Sequence, residues 1–184
     1  MQKFDIAVIG GGASGIVAAI SAARSGKRVV ICEKMQRLGK KILISGSGRC
    51  NISSEDLSES HYNFEARGVV RSVFSRFGGQ RIERFFNELG LRLYADGKRI
   101  FPVTNQAASV LEVLELELKR LDIPVEFNFE VNNIAGSAGN FIVKSEGKKR
   151  VSFASVIITG GGKAYPSTGS DGGCYNLANS FGHK

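Results

Sequence analysis

Cysteine is scarce in this sequence: three residues, at 32, 50 and 174, with no CxxC spacing and an odd count. That excludes a disulfide framework and a zinc ribbon, and it fits a reducing, cytoplasmic compartment. Histidine is scarcer. His61 and His183 stand alone, neither at a spacing that partners a nucleophile and an acid, so both read as surface or packing residues. No metal site is expected. Long hydrophobic runs are missing as well. The one long uncharged stretch, Ile6 to Ala23, is broken by Gly10, Gly11 and Gly12 and preceded by Asp5. That excludes a signal peptide and a membrane span. Internal repeats and low-complexity segments are absent.

What is present is glycine and positive charge. Glycine supplies 23 of 184 residues, against a usual share of roughly 7%. Hydrophobic residues make up 42%, enough for a globular core and too many for a disordered chain. The net charge is +8, and it is local. Arg24, Lys27, Arg28, Lys34, Arg37, Lys40, Lys41 and Arg49 face one acid, Glu33, in the window from 24 to 49, which carries +7 of the total. A local anionic partner fits this asymmetry; a solvated basic face fits it equally. Nucleic acid is the disfavoured partner, because basic stretches interleaved with aromatics of the RNA-recognition kind are not apparent.

The pattern along the chain alternates strand and helix. Phe4–Ile9 and Arg28–Cys32 read as buried parallel strands, with a helix over 14–25 between them stopped by Gly26. This βαβ unit spans 4–33. A basic, glycine-rich loop is expected over 34–63. Helices and a hairpin follow over 66–121. One helix carries Ile82, Phe85, Phe86 and Leu89 on a face, the strands 91–94 and 98–101 flank an Asp96-Gly97 turn, and a helix capped at Thr104-Asn105 runs to Leu121. Its acids Glu112, Glu115 and Glu117 read as a solvated face. An antiparallel meander is expected over 125–154, with strands 125–134, 140–145 and 150–154 and turns at 136–140 and 146–149. A returning strand and a second glycine-rich loop occupy 155–173, and a short helix follows at 174–181.

Gly10-Gly11-Gly12-Ala13-Ser14-Gly15 is a G-x-G-x-x-G sequence that follows a strand and opens a helix, and Glu33 ends the next strand 18 residues after Gly15. That context makes it a dinucleotide fingerprint. Gly10 permits the tight turn, Gly12 admits a pyrophosphate, and Gly15 lets helix and strand approach. The helix N-terminus supplies amides and partial positive charge. Glu33 suits ribose hydroxyls and repels a 2′-phosphate. The fingerprint alone leaves FAD and NAD open, so an NAD-dependent dehydrogenase stands as an alternative. The stretch from Lys40 to Asn51, KKILISGSGRCN, can wrap amides around an anion, but it is not a P-loop, because no Lys-Ser/Thr follows the glycines. Cys50 beside Arg49 is the place for a lowered thiol pKa; with no second cysteine near, a packing thiol is the favoured reading.

The GGGASG opening, KKILISGSGRCN, DGKRIFPVTNQAASV and ITGGGKAYPSTGSDGGCYNLANSFGH together resemble the BaiN/RdsA-like family of bacterial flavoproteins, the aminoacetone-oxidase-type NAD(P)/FAD-dependent oxidoreductases. The resemblance covers essentially the whole chain. It implies an α/β, Rossmann-like FAD-binding fold of the glutathione-reductase type, with parallel sheet, crossover helix and antiparallel meander. It implies non-covalent FAD, with NAD(P)H as transient reductant, and hydride transfer on a small organic substrate. By carry-over, Gly10, Gly12, Ser14 and Gly15 line the pyrophosphate and Glu33 the adenosine ribose, with Ala13 and Lys34 also among the cofactor-binding residues. Lys40, Lys41 and the loop of Ser45, Gly46, Gly48, Arg49, Cys50 and Asn51 run toward the flavin. Val131 meets the adenine edge, and Thr159, Gly160 and Gly161 close over the cofactor. No catalytic acid or base is assigned. Members of the family are roughly twice this length, so residues 1–184 are expected to form one FAD domain without its closing segment. The charge leaves an RNA-acting flavoprotein as a further alternative.

Overall fold

The computed structural model describes residues 4–145 and 151–183. In chain order its elements begin with β1 (Ile6–Ile9), α1 (Ala13–Arg24), β2 (Val29–Cys32), α2 (Lys40–Ile44) and β3 (Ser53–Ser54). Next come α3 (Arg67–Arg76), α4 (Gly79–Glu88), β4 (Leu93–Asp96), β5 (Arg99–Pro102) and α5 (Ala107–Arg120). The last are β6 (Val125–Glu126), β7 (Val131–Ser137), β8 (Asn140–Ser145), β9 (Val151–Phe153), β10 (Ser155–Ile158) and α6 (Gly173–Asn179). The chain divides into two compact units. The first holds residues up to Ile42 and from Leu114 onward; the second runs from Leu43 to Val113.

The first unit is built on a parallel sheet of order β10-β1-β2-β6. Ile6 is in register with both Ser155 and Val29, so the returning strand lies against the first. All four residues of β2 are buried, as a parallel strand covered on both faces requires. Successive side chains point to opposite faces. Ala7, Ile9, Val30 and Cys32 pack with Phe129, Val131, Ile134, Val143, Phe153 and Leu177, so the antiparallel sheet β7-β8-β9 and α6 share this core. The alternate residues Val8 and Ile31 are fully buried. α1 packs on the sheet through Gly15, Ile16, Ala19 and Ile20, the stripe that helical spacing predicts.

Two expectations change in detail here. The stretch 125–134 is not one meander strand. Val125 and Glu126 pair with Ile31 and Cys32 in the parallel sheet, and β7 starts at Val131. Between them Asn128 takes φ +51°, and the Asn128 and Phe129 amides donate to the Met35 and Glu33 carbonyls. That turn carries the chain out of one sheet into the other. Within 34–63, Lys40–Ile44 is helical. The turn expected at 146–149 lies outside the described residues.

The second unit places α3 and α4 with a sheet of order β3-β5-β4. The hairpin is shifted from its expected position. Asp96 pairs with Arg99, so Gly97 and Lys98 are the central residues, with Gly97 at φ +60°. Glycine first in a two-residue loop is the II′ arrangement that matches strand twist.

Candidate functional site

β1 ends by delivering Gly10 beside the returning strand. Gly10 has φ +104°, and a Cβ on it would lie 2.8 Å from Gly160 Cα. Thr159 ties the two together, its Oγ1 donating to the carbonyls of Ile9 at 2.8 Å and Gly10 at 3.1 Å. A Cβ on Gly15 would run into the Gly10 carbonyl and the Thr159 hydroxyl. A Cβ on Gly11 would meet the Leu38 side chain and the Glu33 carboxylate. Gly12 differs from all of these: nothing lies within 4 Å of where its Cβ would be. No protein atom claims that space, so the backbone there is open to a ligand's approach. Gly12 caps α1 in an extended conformation with no side-chain cap, and no acid occupies the first turn. Ala13 and Ser14 are exposed beside it. The first-turn amides of a 12-residue helix therefore face outward, the usual arrangement for an anion.

Glu33 is 8% exposed and holds both carboxylate oxygens in place. Oε2 accepts from the Gly11 amide at 2.5 Å, and Oε1 from the Met35 amide at 2.8 Å. Each oxygen keeps a further lone pair for a hydroxyl. Beside it a cleft is lined by Cys32, Glu33, Lys34, Phe129, Val131 and Asp171, among others. Val131, buried at the start of β7, lines this cleft together with Glu33. Lys34 Nζ pairs with Asp171 at 2.6 Å and with Glu130 at 3.8 Å. The Lys34 ammonium, then the Gly173 amide, hold the Asp171 carboxyl below its ordinary range.

Lys40 and Lys41 stand at the start of α2, where the Gly39 amide bonds the Gly11 carbonyl. Lys40 Nζ donates to the Ser167 carbonyl at 3.0 Å. Lys41 Nζ lies 4.0 Å from where a Cβ on Gly161 would be. Both lysines thus lie beside the glycine-rich loop that follows β10.

The Ser45–Asn51 stretch belongs to the second unit, and its side chains are engaged there. Gly46 and Ser47 are left-handed, and a Cβ on Gly46 would lie 2.8 Å from the Asn51 amide. Arg49 stacks over Phe101 at 4.0 Å and donates to Tyr94, Asp96 and Asn105. Cys50 is buried, and burial raises its thiol pKa, the reverse of activation by Arg49. The resemblance, and not the local geometry, assigns this stretch to a cofactor.

Asp171, Ser170 and Cys174 were not anticipated. Ser170 is buried, and Cys174 Sγ sits where a Cβ on Gly160 would go. The available signal was the run Gly169-Ser170-Asp171-Gly172-Gly173 ahead of α6. His61 is exposed and pairs with Asp56 at 3.1 Å. Among the described residues no group of three or more His, Cys, Asp or Glu could hold a metal, and no helix is long and apolar enough to cross a membrane.

A parallel sheet, a crossover helix opened by glycines, an acid ending the second strand and a meander before the returning strand define a Rossmann-type dinucleotide-binding domain of the glutathione-reductase class. The chain belongs to the HI0933-like family, whose Rossmann-domain description (HI0933-like protein Rossmann domain) matches residues 4–184. It is 45% identical over 180 residues to a 3-dehydro-bile acid delta(4,6)-reductase of Clostridium scindens, covering 97% of this chain and 44% of that protein. It is 25% identical over 182 residues to the ribosomal RNA dihydrouridine synthase of Escherichia coli, covering 99% and 45%. The chain thus spans less than half the length of these relatives. Among solved structures, the open conformation of a flavocytochrome c3 fumarate reductase superposes with TM-score 0.66 at 15% identity, over 97% of this chain and 40% of that one. A 3-ketosteroid-delta4-(5alpha)-dehydrogenase from Rhodococcus jostii gives TM-score 0.54 at 14% identity, over 90% and 47%.

Proposed function

We propose that this chain is the cofactor-binding part of an FAD-dependent oxidoreductase of the cytoplasm. The carrying observation is the contrast among the glycines. Gly10 and Gly15 are demanded by backbone atoms and Gly11 sits against the Leu38 and Glu33 side chains, while Gly12 faces open space at an uncapped helix start. A pyrophosphate at that point explains the fourth glycine. Glu33 then meets the ribose, Val131 the adenine edge, Lys40 and Lys41 the phosphates, and Thr159 to Gly161 the other side of the cofactor. A bound flavin supplies hydride chemistry. The protein orients it and keeps its phosphates neutralised.

The relatives' names support a reaction class. One is a delta(4,6)-reductase, and the other makes dihydrouridine, which carries two more hydrogens than uridine. Both reactions add hydride and a proton across a carbon–carbon double bond, and we assign that class to this chain's reaction. NAD(P)H is the reductant that closes the cycle.

The test is the purified chain. The two-banded visible absorption of an oxidised flavin, or a rise in melting temperature with added FAD, is the expected result. A colourless protein stabilised by NAD and not by FAD would select the dehydrogenase reading instead.

A further inference from the structure

The cleft beside Glu33 is narrow. Its cavity is about 50 Å³, room for a few waters and far less than a nucleoside fills. One wall comes from the segment Ser167 to Cys174, of which Gly169, Asp171, Gly173 and Cys174 line the cleft. Two lysines from the stretch after β2 hold it down. Lys34 Nζ donates to Asp171 Oδ2 at 2.6 Å, and Lys40 Nζ to the Ser167 carbonyl at 3.0 Å. Gly169 fits close against the same stretch, since a Cβ there would lie 3.0 Å from Met35 Cγ. Asp171 accepts from the Gly173 amide through its other oxygen at 3.0 Å. Gly169 and Gly172 sit at φ +95° and +88°, conformations that only glycine takes freely.

We propose that Ser167–Cys174 is a strap over the adenosine end of the dinucleotide cleft, latched by the Lys34–Asp171 pair, and that the latch sets how fast a cofactor enters and leaves. The inference rests on the FAD reading above. An incoming diphosphate competes for Lys40, which exchanges a neutral carbonyl for an anion, and the strap loses one of its two ties at the moment it has to open. Lys34 and Asp171 are partly exposed, with side chains 23% and 51% accessible. Water and salt therefore weaken the latch, and it opens without unfolding anything.

The test is stopped-flow flavin fluorescence on the chain and its Asp171→Asn and Asp171→Glu variants. Asparagine keeps an acceptor for Gly173 and removes the charge that Lys34 holds. The expected result is association and dissociation of FAD both faster by about three- to fivefold in Asp171→Asn, with Kd changed less than either rate. Asp171→Glu returns both rates toward wild type. A residue that merely touched the cofactor would change dissociation alone. Hydrogen exchange of the amides from Ser170 to Cys174 in cofactor-free protein gives a second readout, and these amides exchange faster in Asp171→Asn. Unchanged rates in that variant overturn the latch while FAD binding stands. If wild type binds no FAD, faster exchange in Asp171→Asn supports a latched strap and overturns the cofactor reading alone. Unchanged exchange in that case overturns both.

Discussion

Gly12 and Gly15 stand three positions apart and should respond oppositely to one methyl group. At Gly15 the methyl collides with the Gly10 carbonyl and the Thr159 hydroxyl, both held in the sheet. Gly15→Ala should destabilise by about 3 kcal/mol, as overpacking against fixed backbone does. At Gly12 the methyl meets nothing within 4 Å, and the backbone is already extended. Gly12→Ala should stay within about 1 kcal/mol of wild type, the range of N-cap changes, yet lose at least about tenfold in FAD affinity. Urea unfolding and flavin titration on both variants check this; equal loss of stability would mean that Gly12 is structural after all. These glycines were legible because their spacing encodes a turn and a close approach. Glu33 was legible because its distance from Gly15 is fixed by a helix and a strand. Asp171 was not, since it meets Lys34 across 137 residues of sequence, and no local period records such a pairing.

Among the elements, α5 shows where grouping by residue type misleads. Glu112, Glu115 and Glu117 look like one acidic face. Glu117, however, stands three after Leu114 and four before Leu121, on the apolar side. It is 6% exposed and clamped by Arg24 from the end of α1 and by Arg120 one turn on. The Arg120 hydrogen bonds first, then those of Arg24, hold its carboxyl at about pH 2 against an ordinary 4.5. The depressed pKa belongs to the folded state, so the stabilisation is complete above about pH 4.5 and is lost as the pH falls toward 2. Arg24 and Arg120 are partly exposed, so screening reduces its worth. Glu117→Gln should cost about 1–3 kcal/mol at pH 7. The difference from wild type should shrink between pH 4.5 and 2 in a series of urea melts. A difference that stays constant with pH would mean that packing, and not charge, is what Glu117 supplies. Helices α1 and α4 were legible for the complementary reason, their apolar residues following a single period, and the first strands were legible as unbroken apolar runs. The β6–β7 boundary was not, because the apolar–polar alternation of Val125, Phe127, Phe129 and Val131 runs straight through the left-handed Asn128 that breaks the strand.

Across the whole molecule the basic window divides into two groups. Arg24 pairs with Glu117, Arg28 with Asp5, Lys34 with Asp171 and Glu130, and Arg49 with Asp96. These acids are distant in sequence, so the window looked more cationic than the folded surface is. Lys27, Arg37, Lys40 and Lys41 make no close ion pair among the described residues, and of these Lys27 acts on Asp5 at longer range. A diphosphate brings about two negative charges, and Lys40 and Lys41 are the pair that lies beside the glycine loops. If the charge serves a dinucleotide, Lys40→Gln with Lys41→Gln should weaken FAD binding about tenfold or more, while Lys27→Gln with Arg37→Gln leaves it unchanged. FAD at a hundred times its Kd should stabilise wild type by about 2.7 kcal/mol, and the first double variant should need a correspondingly higher concentration for the same shift. An RNA footprint predicts a different pattern: similar loss from either double variant and a steep fall of RNA affinity with salt. Aromatic and basic groups do meet in the second unit, where Arg67 lies over Phe64 and Arg81 over Phe77. Substituting those arginines is therefore the further arm that separates the two readings. It should leave FAD affinity unchanged, and lower RNA affinity only if the surface is a nucleic-acid site.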